Sequence, residues 1–577
     1  MSYDNNKMWP RVGVAALAAS FSVLATAQVR PDAGTIIQQQ QQRERVPTPG
    51  AEPQQVLPKA VPGGPAMPFS PTLKVTVSAF RVLGNTVIAE AELLAALQEF
   101  VGKNLDFEGL NDAAGRVQRM YRERGYFLAV SYLPQQQIRD GVVEIAVLEG
   151  TVGKVALEMP ADARTRESLP RGILDAHIKP GALITESGLE RPLLLINDLA
   201  GVSVSSAMGP STAAVGAADI KVKLEEDARR WNGYVDADNN GNRFTGEFRV
   251  GANLNFENLA GYGDLFSMRA FYSDEAMKFF RFAYVLPVGY YGTRVGVSYT
   301  DFSYKLAKDF ESLQAHGKGD VSTIYALHPF LRTRNANFLM QVAYEVKNLK
   351  DYRDSTNSIE ERKIDSVKLG GIGDFRDGML SGGFNSYSLT YTAGKLNLGP
   401  ATVLVVDQAP GSGLATDGRF SKVNGDYKRL QRISSEWNLL LSVSGQLASK
   451  NLASAEKFSL GGPQGVRAYP VGEATGDSGY LFSTELRYLV PKFKVMEGDV
   501  TVSAFYDLGE VKTNEKPLVT NVANMRGLAG YGLGLSLGRE GHFLLQGSVA
   551  VRAEAERAQT DGVKRDPRVW LQLIKWF

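Results

Sequence analysis

From about residue 228 to the C-terminus, apolar and polar side chains alternate with a period of two, a pattern that few architectures satisfy over such a length. In residues 265–273, Phe266, Met268, Ala270 and Tyr272 share one face of an extended segment, and Ser267 and Arg269 share the other. The next run repeats this, with Phe280, Phe282, Tyr284 and Leu286 opposite Arg281 and Ala283. Successive side chains of a strand point to opposite faces, so each segment is apolar on one side and polar on the other. A soluble sandwich alternates too, but it buries its apolar face in a core and seldom uses strands so long and so aromatic. Here full charges occupy the polar face and aromatic residues end the apolar one, as lipid outside and water inside require. Segmentation at Gly, Asn and Asp turns predicts a membrane β-barrel of about 16 antiparallel strands, enough to leave an aqueous lumen once the sheet closes. Most of the chain's 59 Gly, 23 Tyr and 27 Phe lie in this part. Its last strand, 569–577, puts Val569, Leu571, Leu573 and Phe577 on one face and ends the sequence on Trp576-Phe577 inside the wall.

The remaining composition narrows the compartment. Lys7 and Arg11 precede an apolar run over 12–24 that ends in Ala25-Thr26-Ala27. This is the pattern of a secretory signal, so residues 1–27 are read as a signal peptide, with the mature chain starting near Gln28. The run falls short of the ~20 apolar residues that a membrane helix needs. Cys is absent, which excludes disulfide stapling, iron–sulfur ligation and thiol catalysis together. Lys+Arg 64 against Asp+Glu 62 leaves no basic footprint for nucleic acid. His177, His316, His328 and His542 show no metal-ligand spacing, and no glycine loop suited to phosphate is present. No metal, cofactor or nucleotide-driven motor is therefore expected.

Between signal and barrel the chain divides further. Residues 28–47 contain good helix formers around a glutamine tract, and 48–73 are proline-rich, which makes them an extended tether. Residues 74–150 read as one α+β domain: a strand over 75–83, helices over 90–101 and around Leu110, Ala114, Val117 and Tyr121, then strands over 126–133 and 142–148. The order repeats over 151–227, with a strand at 152–157, helices at 164–177 and 186–199, and strands at 202–208 and 219–224. Each unit is long enough to hold its own core.

Two short motifs connect this outline to a family. Val466-Arg467-Ala468-Tyr469, inside a glycine-rich segment, resembles the V-R-G-[YF] motif of the sixth loop in the outer-membrane assembly and two-partner secretion superfamily. About forty residues on, Phe505, Asp507 and Gly509 match its F-x-D-x-G strand motif, and the alternation over 501–509 points all three inward. Ala468 stands where the family usually has glycine, and its methyl restricts the backbone there. Gly125-Tyr126, Leu133-Pro134, Asp140-Gly141-Val142-Val143 and Leu148-Glu149-Gly150 resemble the first polypeptide-transport-associated (POTRA) domain of two-partner secretion transporters, and 189–202 resembles the second.

The resemblance implies an outer-membrane transporter of the TpsB type whose periplasmic POTRA domains capture a large secreted TpsA-type exoprotein such as a hemolysin, adhesin or contact-dependent toxin. It also implies a helix near 35–46 threading the barrel, and an anchor between Arg467 and Asp507. Outer-membrane lipid and lipopolysaccharide would surround the wall, and the barrel assembly machinery would insert it, with Trp576 and Phe577 as the C-terminal signal. The alternative is an assembly factor that inserts other barrels, and a passive porin, which would not need residues 74–227, comes third. Gly534-Leu535-Ser536-Leu537-Gly538 spells the nucleophile elbow of lipases, but an elbow needs a strand-to-helix turn and this segment reads as a strand of small residues. Ser454-Ala455-Glu456-Lys457 fits S-x-x-K without a K-T-G partner, so no catalytic residue is assigned.

Overall fold

The computed structural model describes residues 31–44, 67–68, 73–212, 214–517, 523–553, 558–560 and 565–577. The predicted signal peptide and most of the proline-rich segment read as a tether lie outside the described residues. Sixteen antiparallel strands run in sequence order from Trp231–Asp238 to Arg568–Trp576 and close into a barrel. The last strand pairs with the first from Gln572↔Asp238 to Trp576↔Tyr234. Val342, Val367, Leu369, Leu389, Tyr391 and Leu533 are exposed on the outer face, as a lipid-facing wall requires.

The wall is uneven. Strands at the seam are 8 and 9 residues long, whereas Ala315–Arg332, Ala336–Arg353 and Ser358–Asp377 run to 18, 18 and 20. About 9–11 residues cross a bilayer, so the long strands rise well beyond it. The inner face departs from the expected polar lining. Phe271, Phe279, Phe302, Leu349, Ile364 and Leu396 form an apolar collar inside the barrel around Ile36 and Ile37 of the N-terminal helix.

That helix spans Ala33–Glu44, two residues ahead of the predicted 35–46. Asp32 sets its start: its Oδ1 accepts from the Thr35 backbone N at 2.7 Å and from Thr35 Oγ1 at 2.8 Å, which satisfies amides that a helix end leaves open. At 12 residues the helix is about 18 Å long.

Two α+β units precede the barrel, each with a three-stranded sheet whose last strand lies in the middle. In the first, Ala79–Leu83 and Val130–Tyr132 flank Val142–Leu148; in the second, Thr151–Glu158 and Val202–Pro210 flank Ala217–Glu226. The strand predicted over 75–83 is broken. Lys74–Thr76 pairs with Asn104–Asp106, and only Ala79–Leu83 joins the main sheet, because Val77 turns inward and its carbonyl accepts from Gly102 N at 2.8 Å. The predicted 126–133 strand shortens to Val130–Tyr132, since Tyr126 N and Ala129 N are taken up by turns.

Both units share a device that sequence reading missed. Glu149, just past the last strand of the first sheet, accepts from Thr86 N (2.6 Å), Val87 N (3.0 Å), Tyr121 Oη (2.7 Å) and the Thr86 hydroxyl. Glu226 does the same in the second unit, with Thr165 N at 2.7 Å, Thr165 Oγ1 at 2.5 Å and Arg164 N at 3.0 Å. With Arg164 and Thr165 held this way, the helix predicted from 164 begins at Ser168. Burial opposes the charge on Glu149, but the hydrogen bonds outweigh it and hold its carboxyl below the usual range, while burial and the adjacent carboxylate push the Tyr121 phenol up. A depressed carboxyl contributes stability that is complete above its ordinary pKa and is lost as pH falls from there through the lowered one. Hydrogen exchange through residues 74–150 should therefore accelerate below about pH 4. Glu149→Gln should abolish that pH dependence and accelerate exchange at neutral pH; equal exchange in the two proteins would exclude the clamp.

The second unit sits on one end of the barrel. Arg332, at the end of a barrel strand, grips Asp198 through Nε (2.9 Å) and Nη2 (2.7 Å). Arg334 binds Glu186 at 2.8 Å and also Glu190, and Arg191 donates to the carbonyl of Pro329 at 2.7 Å. This end is the domain end; the 449–477 loop leaves from the other.

Candidate functional site

The 449–477 connection is the sixth of the loops at the end away from the domains, and it folds back into the lumen. Its two arms pair as a short ribbon, Phe458–Ser459 against Thr475–Gly476. A tight turn brings residue 465 under the first arm, where a Cβ would lie 1.8 Å from the Leu460 carbonyl oxygen, so glycine is required at Gly465. Val466 N then donates to that carbonyl at 2.7 Å.

The turn delivers Arg467 to the wall. Its Nε and Nη2 each lie 2.8 Å from one oxygen of Asp507, its Nη1 lies 2.7 Å from Glu485 Oε2, and its backbone N reaches Asp507 at 3.1 Å. Ser483 Oγ donates to Asp507 Oδ1 at 2.6 Å, and the guanidinium lies over the Phe505 ring. Asp507 is wholly buried. From the last strand, Trp570 Nε1 donates to the Arg467 carbonyl at 2.7 Å. A planar fork on a buried carboxylate is the strong form of ion pair, and removing one member strands the other.

The other motif residues surround this contact. Val466, Ala468 and Tyr469 are buried against Leu460, Leu481, Phe505 and Leu528. Gly509 faces the loop, and a Cβ there would meet Leu460 Cδ2 at 2.7 Å. Ala468 avoids left-handed backbone, and its methyl is accommodated because Gly530 opposes it: a Cβ at 530 would come within 2.5 Å of the Ala468 Cβ. The small-residue segment 534–538 lies inside the strand Met525–Arg539, with no helix after it. Trp576 pairs with Tyr234, and Phe577 exchanges backbone hydrogen bonds of 3.1 and 3.3 Å with Gly233, so the chain end is woven into the seam.

A second constellation, not singled out from sequence, fixes the N-terminal helix. Arg362 Nη2 lies 3.0 Å from Asp32 Oδ2, and its Nη1 lies 2.7 Å from Asp351 Oδ2; Asp351 Oδ1 in turn accepts from Ala33 N at 2.9 Å. Deeper in the lumen, Lys347 bridges Glu456 of the loop (2.7 Å) and Gln41 of the helix (3.0 Å), and Lys422 also binds Glu456 at 2.7 Å. Ser454 of the loop donates to Asp32 at 2.8 Å. Helix and loop are thus joined to each other as well as to the wall. A cavity of about 540 Å3 remains beneath them, lined by Lys428, Arg467, Glu485, Arg487 and Gln546. Charged inward positions at every second residue, such as Glu345 and Lys347, were the signal available, but their partners lie in distant segments of the sequence.

The chain matches the family model described as haemolysin secretion/activation protein ShlB/FhaC/HecB over residues 216–537, and the model of the ShlB-type POTRA domain over residues 75–150. It is 30% identical over 581 aligned residues to the heme/hemopexin transporter protein HuxB of Haemophilus influenzae strain 86-028NP, covering 99% of this chain and 100% of that one. The outer membrane transporter CdiB of Dickeya dadantii is 23% identical over 457 residues, 76% of this chain and 77% of that one. Among solved structures, CdiB from Escherichia coli superposes with a TM-score of 0.70 at 22% identity, covering 96% of this chain and 100% of that one.

Proposed function

The chain belongs to the ShlB/FhaC/HecB family of haemolysin secretion/activation proteins, and from that premise we propose that it captures one large exoprotein in the periplasm and passes it through its own barrel. It is an outer-membrane transporter of the two-partner secretion type, with POTRA domains on the periplasmic side. The observation that carries the finer reading is the seating of two α+β units against the near end of a barrel whose lumen is filled by its own helix and loop. A passive porin needs neither part.

Capture uses a sheet edge on which, among the described residues, no strand is paired. Val202–Pro210 is an edge strand of 9 residues, with Ser203 and Ser205 exposed, and an extended segment of the client adds to it by backbone hydrogen bonds. The sixth-loop residues Val466, Arg467, Ala468 and Tyr469, with Phe505, Asp507 and Gly509 on the wall, hold the resting loop, and Trp576 with Phe577 serve as the insertion signal for the barrel assembly machinery. No residue is assigned a catalytic role. With no nucleotide to drive it, export is made directional by folding of the client at the cell surface.

Co-expression with a large candidate exoprotein from the same organism tests this reading. The exoprotein should reach the medium only when the transporter is present. Changing Ser206 and Met208 to proline, which removes two backbone N–H groups turned away from the central strand Ala217–Glu226, should lower secretion about tenfold while the barrel stays inserted. Unchanged secretion by that variant would exclude this edge as the capture site.

A further inference from the structure

The lipid-facing wall carries a cleft of about 490 Å3 near the end away from the domains. Cross-strand register accounts for it. Tyr344, Val367, Ala393 and Ser421 stand side by side on adjacent strands, so the row falls from large to small side chains, and Ser449 N continues it by donating to the Ser421 carbonyl at 3.0 Å. One step toward the barrel's middle the row is wholly apolar: Val342, Leu369, Tyr391, Val423, Leu447. The step after that contains Gly371, Gly425 and Gly445, and a Cβ built at Gly425 would meet nothing nearer than 3.7 Å. A shallow apolar furrow therefore descends the wall from the cleft floor.

Above the floor the chemistry changes within one register step. Asp365, Lys395 and Arg419 are cross-strand neighbours, and Lys363 stands one step higher on the first of these strands. Asp365 accepts from Tyr344 Oη at 3.2 Å. Lys395 and Arg419 are exposed and directly paired, and among the described residues neither forms an ion pair with a carboxylate. Like charges opposite one another destabilise a sheet. Two cations kept together at the top of an apolar furrow are complementary to an anion that carries its own hydrocarbon. Guanidinium and ammonium both suit phosphate oxygens.

We propose that this cleft binds a phosphorylated acyl lipid of the outer leaflet, its phosphate between Lys395 and Arg419 and an acyl chain along the furrow over Ala393, Ser421 and Val423. The occupant is a lipid rather than a soluble anion because the floor of the site is part of the lipid-facing wall. The site is separate from the lumen, so its failure would leave the transport reading untouched.

Native mass spectrometry of the full chain released from detergent micelles tests the site, with lipid A, dephosphorylated lipid A and inorganic phosphate as probes. The protein should retain one lipid A, and changing Lys395 and Arg419 together to alanine should weaken retention about 30-fold, as expected for two basic groups at a headgroup. Ala393→Trp, which fills the floor without altering charge, should also displace the lipid. Heat-dependent gel mobility reports whether each variant keeps a folded barrel, and Lys494→Ala, on the opposite rim, should leave binding unchanged. Equal retention of dephosphorylated lipid A, or equal retention by the double variant, would overturn the proposal. So would displacement of lipid A by millimolar inorganic phosphate, which would mark a soluble-anion site.

Discussion

Arg467→Ala should abolish most secretion while leaving a folded barrel in the membrane, and Asp507→Ala should do the same. The loop is long and glycine-rich, so holding it in the lumen costs conformational entropy that its contacts must offset. Arg467 supplies the fork on Asp507, a third bond to Glu485 and a ring face, in a site where Asp507 has no exposure. Loss of one partner strands a buried charge at a cost of about 3 kcal/mol or more. The double variant should be little worse than either single one, because the second change removes a charge that the first has already stranded. Arg467→Lys should rescue in part, since an ammonium cannot reproduce the fork but can still pair with Asp507 or Glu485. Secretion assays on matched amounts of inserted protein check this. Simple additivity of the two losses, or normal secretion by Arg467→Ala, would return Arg467 to the status of an ordinary lumen charge.

Deleting residues 28–46 should raise steady conductance in planar bilayers severalfold, since a barrel of this strand number encloses an aqueous channel when nothing fills it. The structure adds a finer expectation. Asp32→Ala removes the helix cap and one carboxylate on Arg362 but leaves Ile36 and Ile37 in the apolar collar. It should give intermittent openings rather than a steady one. Because the loop also occupies the lumen, the deletion should fall short of the conductance of an empty barrel. A deletion variant as tight as the intact protein would rule out the helix as the seal.

The outline of the fold is legible in the sequence because each part has its own period or composition. Alternation locates the barrel strands, and the run 265–273 agrees with the observed strand residue for residue. The second helix of the first unit is readable from the spacing of Leu110, Ala114, Val117 and Tyr121, all of which are buried on one face of Phe107–Glu123. What sequence reading misses is pairing across distance. Glu149 stands in the Leu148-Glu149-Gly150 motif, but its role, like that of Glu226, depends on Thr86 and Thr165, more than sixty residues earlier in each case. Phe271 and Phe279 fall on the face assigned to water, because period alone cannot say that a helix will be packed inside a barrel. Ser454 and Glu456 were visible as a motif, but their roles depend on Asp32 and Lys347, far away in the chain. The sixth-loop motif was visible as four letters, whereas Gly530, which admits Ala468, lies on a strand that sequence alone gave no reason to connect with it.

The bonds from Ser454 to Asp32, and from Glu456 through Lys347 to Gln41, make the helix and the loop thermodynamically linked occupants of one space. Linkage is reciprocal, so releasing the loop weakens the hold on the helix by the same coupling free energy as releasing the helix weakens the hold on the loop. A client entering from the periplasm cannot displace one and leave the other indifferent. Tightness at rest and readiness to open then become opposite ends of a single equilibrium constant. Each factor of ten by which a substitution lowers the leak requires about 1.4 kcal/mol more differential binding from the client. Such a transporter is matched to its cargo in energy as well as in sequence: a cargo that binds too weakly would find an inserted, well-folded and permanently shut barrel.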